Sequence, residues 1–287
     1  ETPWLSTVKI PIYGDYRALI ADQAVEAIVV VTPPSLYPEI CLEAVKARKP
    51  LLIEKPLATT GREARAMVTA AEEAGLLLMT AQTMRFDSAI LLVKDHLPKI
   101  GRLRYATFTS RVEARTGFEG HAPIQGQRGV LLELGIHLLD LVPFLTDEQV
   151  VDVRCELDQL PTAASDTTAI VQVKTESGMS CVLDIARVVG GRVGRTEWVG
   201  TQGQITADWI HHRVTGVFGD KAPQEWVVQP QQTILATLHA FAHAIQTKTP
   251  PPITGRDGCR AVEAADACYR SAELHGASVS VREIREA

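Results

Sequence analysis

Between residues 27 and 80 the chain repeats one pattern: a short apolar run, a stretch at helical spacing, then another short apolar run. Residues 27–31 read AIVVV and stop at Thr32-Pro33-Pro34. Ser35 stands where it can cap a helix over 36–48, residues 51–53 make the next strand, and that strand ends at Glu54-Lys55-Pro56. A helix over 61–74 stops at Gly75, and residues 76–80 form a third strand. Strand, helix, strand, helix, strand leaves few topologies open, because parallel neighbours joined by a crossover take the right-handed hand almost without exception. The spacing therefore predicts an α/β fold with a parallel sheet, whose ligand chemistry gathers outside the carboxyl ends of the strands. Upstream, residues 8–13 read as a short strand and 15–21 as a helix capped by Asp15.

After Arg85 the rhythm changes. A helix over 87–97 and a strand over 103–111 precede a polar loop at 112–128. Alternating segments then follow without helices between them, at 151–157, 167–174, 179–188, 196–200, 204–209 and 213–218. Strands in a row predict a large, mainly antiparallel open sheet in a second, α+β unit. Helices over 233–247 and 255–274, split by Pro250-Pro251-Pro252, and a strand over 278–281 close the chain. We expect the division at 1–84 and 85–287, with one or more helices of the second unit packing back on the first.

The densest signal for chemistry is the run at 129–145, GVLLELGIHLLDLVPFL. At helical spacing Glu133, His137 and Asp140 share one face of an otherwise apolar helix. Ionisable groups on a buried helix are unfavourable unless paired or used. The plain reading of His137 is a core histidine held by an acid, and of Glu133 an acid paired with an arginine. Lys55 shifts the balance, since it ends an apolar strand where an open α/β sheet binds its ligands; its own plain reading is a surface lysine before a turn proline.

Other classes are excluded on simpler grounds. A net charge of −5 and a pI near 5.9 give no basic footprint for nucleic acid. The apolar runs are far shorter than a membrane span. Five cysteines, odd in number and without a C-x-x-C pair, point to a reducing compartment, and the cytoplasm is the expected location. His239 and His243 lack the glutamate of H-E-x-x-H and read as solvated, so no metal is expected. Arg111, Arg115 and Arg128 border the long loop, where they could meet an acidic substrate or serve solubility alone.

No G-x-G-x-x-G turn is present; before Gly61 the only glycine is Gly14. The Gly190-Gly191-Arg192-Val193-Gly194 cluster falls between antiparallel strands and reads as a turn. In a dinucleotide-binding sheet the AIVVV strand would otherwise have a bare apolar edge. The expectation is that roughly one further β-α-β unit, ~30 residues or more, precedes Glu1.

Thr32-Pro33-Pro34, Glu54-Lys55-Pro56-Leu57, Arg85-Phe86, the series Gly129, Glu133, Gly135, His137, Asp140, and Pro251-Pro252 with Gly255 together resemble the glucose-fructose oxidoreductase / inositol dehydrogenase / MocA family. The resemblance runs from about Tyr13 to Val281. It implies a Rossmann domain for NAD or NADP and a C-terminal sheet that often forms the interface of a homo-oligomer, a dimer or tetramer. It also implies hydride transfer at a secondary alcohol of a sugar, cyclitol or related polyol. On this likeness Lys55, His137 and Glu133 are the catalytic residues, with the Lys55-Pro56 bond cis. Thr32, Pro33, Pro34, Glu54 and Lys55 line the cofactor, and Lys55, Arg85, Glu133 and His137 the substrate. Glu133 stands where the family has aspartate, Tyr37 where many relatives have histidine, and Thr83 where many have asparagine. Two alternatives remain open: a regulatory homologue that binds sugar and nucleotide, and an enzyme that uses tightly held NAD for internal redox in hydrolysis or elimination.

Overall fold

The structure, a computed structural model, describes residues 10–113, 128–161, 163–188 and 190–286. Residues 10–13 form no strand, and the rest of the run expected at 8–13 lies outside the described residues. α1 (Tyr16–Ala21) begins at Asp15, whose side chain accepts from the Arg17 N–H. β1 (Ile28–Val30), β2 (Leu51–Glu54) and β3 (Leu78–Ala81) form a parallel sheet in that order. The crossovers are α2 (Tyr37–Lys46) and α3 (Gly61–Glu73). Ser35 does not cap α2: Pro34–Leu36 make a 3-10 turn that runs straight into Tyr37. The chain is already helical where a cap would need extended backbone.

α4 (Ser88–His96) is capped by Asp87, whose carboxylate accepts from the N–H groups of Ala89 and Ile90. β4 (Leu103–Glu113) leads to residues 114–127, which lie outside the described set. Leu131–Gly135 is a π-helical turn that opens α5 (Ile136–Thr146). The strands β5 (Val150–Asp158), β6 (Thr168–Thr175), β7 (Ser180–Val188), β8 (Val193–Gly200), β9 (Gly203–Asp208), β10 (Arg213–Phe218) and β11 (Gln224–Val227) follow, then α6 (Thr233–Thr247), α7 (Gly255–Glu273), β12 (Val279–Ser280) and α8 (Val281–Glu286). Among the described residues nine strands form one sheet in the order β11-β10-β9-β8-β4-β7-β6-β5-β12. Among the same described residues only β4 and β7 pair in parallel within it.

Period-two burial explains why this sheet has one packed face. In β6, Ala169, Val171 and Val173 are buried while Ile170, Gln172 and Lys174 alternate outward. The smaller sheet is covered on both faces: Ile28, Val30, Leu51 and Ile53 join the core under α2, and Leu52, Met79 and Ala81 pack with Phe241 of α6 and with Ile253. α7 bridges the two sheets. Its Gly255 and Gly258 lie against Leu78 and Thr80 of β3, and its Asp266 accepts the Gly61 N–H at 2.6 Å. This seating sets the carboxyl edge of the parallel sheet beside the π-turn and α5.

Candidate functional site

Thr32 lies two residues past β1, Lys55 one past β2 and Gln82 one past β3. Val30 pairs with Ile53 and Glu54 with Ala81, so continuing the register sets these three side chains in a row along the sheet's carboxyl edge. Lys55 is carried on a cis peptide to Pro56. Its backbone N–H donates to Glu54 Oε2 at 2.9 Å, and its Nζ donates to the carbonyl oxygen of Glu133 at 2.8 Å. Burial holds the Lys55 amine below its ordinary pKa; Glu133 and Glu54 oppose the shift, and Arg187 adds to it.

The other half of the site is the segment that starts at Gly129. Asp166 ties down its N-terminus: Oδ1 accepts from the Gly129 N–H at 2.7 Å, Oδ2 from Leu131 at 2.9 Å, and its backbone carbonyl from Val130 at 2.9 Å. The expectation that Glu133, His137 and Asp140 share one face is corrected here. A regular α-helix would align them, but the π-turn widens the spacing between Glu133 and α5. Glu133 is turned outward, half-exposed, and its Oε1 accepts from Arg187 of β7. Asp140 faces inward and takes Arg85, whose Nε and Nη2 donate to Oδ2 and Oδ1 at 2.8 and 2.6 Å. The acid paired with an arginine inside the protein is thus Asp140. Burial pushes its carboxyl up to about 6, against the charge and hydrogen bonds of Arg85 and with a smaller push from Asp257.

His137 lies between these two acids and bonds to neither. The residue as a whole is part-exposed, yet Nδ1 is buried and has no partner among the described residues. Burial, and then the Lys55 charge, push the imidazole down to about 3. Arg85, expected on the substrate, is 8% exposed and committed to Asp140, with Asp257 at 3.5 Å. The 3-10 turn Thr83–Phe86 tucks it beneath α5.

Thr32 Oγ1 and both amide atoms of Gln82 are also buried without partners among the described residues. A buried polar group left unpaired costs ~1–3 kcal/mol. Orphans flanking Lys55 on the sheet's carboxyl edge therefore suit the polar end of a bound cofactor. Pro33 and Pro34 stand beside Thr32 at the start of α2's approach, exposed and half-buried, and Glu54 lies half-buried next to Lys55. Neither Gln82 nor Arg187 was singled out by sequence. The one signal for Gln82 is its place directly after the third strand; for Arg187 there is none short of strand pairing.

The remaining candidates lie elsewhere. Arg128 donates to Thr59 O at 2.8 Å, pairs with Asp266 and sits over the Tyr269 ring, while Arg111 pairs with Asp184. Arg115 is outside the described residues. His239 and His243 are exposed on α6. The five cysteines are free and buried. Among the described residues no group of three or more His, Cys, Asp or Glu is placed to hold a metal, and no helix is long and apolar enough to cross a membrane. A cavity of about 660 Å³ lies at the sheet's amino edge between α3, α6 and α7, and one of about 230 Å³ adjoins Arg85, Phe144 and Asp257. Neither is lined by Lys55 or His137.

A parallel βαβ sheet with a lysine on its carboxyl edge, facing a helix from a large mixed sheet, defines a Rossmann-type protein with a C-terminal α+β unit. Residues 5–82 match the model of the oxidoreductase family with an NAD-binding Rossmann fold, and residues 98–206 that of the GFO/IDH/MocA C-terminal domain. The chain belongs to the GFO/IDH/MocA family of oxidoreductases. It is 27% identical over 275 residues to the myo-inositol 2-dehydrogenase of Thermotoga maritima, covering 91% of this chain and 81% of that protein. It is 25% identical over 293 residues to the D-apiose dehydrogenase of Rhizobium rhizogenes, covering 94% and 83%. Among solved structures, an oxidoreductase from Agrobacterium radiobacter in complex with NAD+, L-tartaric acid and magnesium superposes with a TM-score of 0.86 at 22% identity, over 95% of this chain and 84% of that one.

Proposed function

We propose that this chain transfers hydride between a nicotinamide cofactor and a secondary alcohol or ketone of a sugar, cyclitol or related polyol. The observation that carries the reading is the contact of Lys55 Nζ with the Glu133 carbonyl, which brings the strand-end amine and the segment bearing His137 to one place. The activities named for the relatives on inositol and apiose support the substrate class. Thr32, Pro33, Pro34, Glu54 and Lys55 would hold the nicotinamide end of NAD, with Gln82 beside them. Bound there, the cofactor supplies a hydride acceptor. Lys55 stabilises the developing alkoxide by charge and hydrogen bonding, and Glu133 with Arg187 forms the wall beside it.

We take residues 1–84 as the cofactor-binding part and 85–287 as the substrate part. The outer face of the nine-stranded sheet exposes Tyr105, Ile170 and Val182, which suits a homo-oligomer, a dimer or tetramer, formed through that face. Free, buried cysteines suit the cytoplasm.

Nicotinamide absorbance followed across a panel of inositols, aldoses and sugar acids tests the reading, with Lys55→Met as control. Reduction of the cofactor by at least one polyol, lost in the variant, is expected. One observation favours a second reading: the Glu133 carboxylate is committed to Arg187 and not to His137. If the cofactor binds and no member of the panel changes its absorbance, the protein is a binding homologue or an internal-redox enzyme.

A further inference from the structure

We propose that Trp209 and Ser110 form a substrate-facing wall on the large sheet, beside the π-turn, and that this wall selects the ring form of a polyol over an open chain. The inference rests on the reading of the chain as a polyol oxidoreductase and adds to it the residues that sense the shape of the substrate.

Strand pairing builds the wall. Ser110 of β4 lies opposite Ile185 of β7 on one side and Gly194 of β8 on the other. Trp209 directly follows β9, and its backbone N–H donates to the Gly194 carbonyl at 2.9 Å. Two residues before Ser110 and Trp209 stand Phe108 and Ala207, both buried, so alternation turns all these side chains to the packed face of the sheet. Ile185 meets the π-turn on that face: a Cβ on Gly135 would lie 2.9 Å from its Cδ1. Neighbouring strands are ~4.8 Å apart, which sets Gly194 ~10 Å from the strand that seats the π-turn. Ser110, which stands between them, is small. The gap has the width of one six-membered ring with its hydroxyls.

Gly194 admits the indole to this gap. A Cβ there would lie 2.2 Å from Trp209 Nε1 and 2.5 Å from Cε2, so only a bare backbone lets the ring come down on the strand. The turn that carries Trp209 is fixed by Asp208, whose Oδ1 accepts from the N–H groups of Ile210 and His211 at 3.0 and 2.8 Å and whose Oδ2 lies 2.9 Å from His211 Nδ1. An aromatic wall already held in place loses little freedom when a ligand settles on it.

Trp198, on the same face, shows what a tryptophan serving the core looks like. It is wholly buried, edge-on to Phe108 with ring centroids 5.5 Å apart, and its Nε1 is sealed from solvent. Trp209 is part-exposed; its Nε1 is not sealed and has no partner among the described residues, and the same holds for the Ser110 hydroxyl. An apolar ring face with a donor at its edge, next to a hydroxyl that can donate or accept, matches a closed polyol ring. The axial C–H groups of a pyranose or cyclitol form a flat apolar patch for the indole, and its hydroxyls reach Nε1 and Oγ. An open-chain polyol presents such a patch only by giving up the freedom of several bonds.

Binding tests this before turnover does. Calorimetry with NADH present, where an alcohol cannot react, compares myo-inositol and methyl β-D-glucopyranoside as closed rings with sorbitol as the open chain. At least one ring should bind ~10-fold or more tightly than sorbitol, and Trp209→Ala should remove that advantage while changing sorbitol binding less than about threefold. Trp209→Phe, which keeps an aromatic face and drops the N–H, should fall between, and Gly194→Ala, which displaces the indole, should resemble Trp209→Ala. Should Trp209→Ala fail to fold, Trp209→Phe and Ser110→Ala decide the matter: each should weaken ring binding by ~2-fold or more and spare sorbitol. Ring probes that bind no better than sorbitol, or ring affinity unchanged in the variants, overturn the proposal. With a working substrate Trp209→Ala should raise KM ~10-fold or more and leave kcat within about threefold, the mark of lost binding and not of lost chemistry. Ring binding that depends on Trp209 without any change in nicotinamide absorbance removes the oxidoreductase reading and keeps the wall; turnover indifferent to Trp209→Ala does the reverse.

Discussion

Arg85 and Asp140 are joined by two parallel hydrogen bonds, at 2.8 and 2.6 Å, in a place where Arg85 is 8% and Asp140 2% exposed. The pair ties the turn after β3 to α5, and Asp257 at the start of α7 lies 3.5 Å from the same guanidinium. Three elements therefore meet on one buried cation.

Asp140→Ala should accordingly act on stability. Removing one partner of a buried pair strands the other charge and costs ~3–5 kcal/mol, whereas replacing both by apolar groups of similar size is close to neutral. Urea unfolding should show a large loss for Asp140→Ala and recovery of most of it in Arg85→Met/Asp140→Leu. If Arg85 instead served the substrate, Arg85→Met would raise KM and leave the urea midpoint near that of the wild type.

The start of the His137 segment makes a second prediction. A Cβ on Gly129 would lie 2.2 Å from the backbone oxygen of Asp166, a clash with main chain that no side-chain rotation relieves. Gly129→Ala should cost at least ~2 kcal/mol and lower kcat together with stability, because the displaced turn carries the Glu133 carbonyl. Asp166→Ala, which frees two N–H groups at a helix start, should cost ~1–2 kcal/mol. Thermal unfolding of both variants, with activity measured well below Tm, separates the two effects.

These cases show what was legible in the chain. The βαβ alternation, the lysine at the second strand's end and the row of later strands were all readable, since each follows from local periodicity. The spacing that put Glu133, His137 and Asp140 on one face failed because it assumed 3.6 residues per turn through a segment where the backbone takes a π-turn. Nothing in LLELG announces that turn; the residues that meet it, Ile185 beside Gly135 and Asp166 on the Leu131 N–H, come from far along the chain. The pairing of Arg85 with Asp140 was likewise hidden, because the two stand 55 residues apart. Ser35 failed for a local reason, since Pro34 already starts a 3-10 turn.

His137 should make stability depend on pH in a known direction. Its pKa in the folded protein is near 3, below the ~6.5 of an unfolded chain, so below pH 6.5 the unfolded state binds the extra proton. The stabilisation is complete above about pH 6.5 and is lost as pH falls toward 3. At pH 4.5 the wild type should have lost up to ~2–3 kcal/mol through this group. His137→Asn should lose correspondingly less between pH 7 and 4.5 in urea titrations. Asp140, whose carboxyl is raised to about 6, works in the opposite sense in both proteins and cancels in the comparison. Parallel losses in the two proteins would show that the ring is free to protonate in the fold.

The seat of α7 on β3 gives the last prediction. A Cβ on Gly258 would lie 2.2 Å from Thr80 Oγ1 and 2.8 Å from Thr80 Cβ, and Thr80 is wholly buried two residues before Gln82. Gly258→Ala must push α7 away from the sheet, and with it Asp257 from Arg85, so a cost of ~2–3 kcal/mol is expected. Thr80→Ala alone should cost no more than about 1 kcal/mol, from the buried methyl, because Oγ1 is a buried hydroxyl without a partner whose loss leaves nothing unsatisfied. In the Thr80→Ala background the Gly258 substitution should cost at least ~0.5 kcal/mol less, since the hydroxyl and methyl it strikes are gone while Thr80's own Cβ position still crowds it. Equal costs in the two backgrounds would mean that α7 does not bear on β3 at this point, and the route from the parallel sheet to Asp257 would have to run through Gly255 and Leu78 instead.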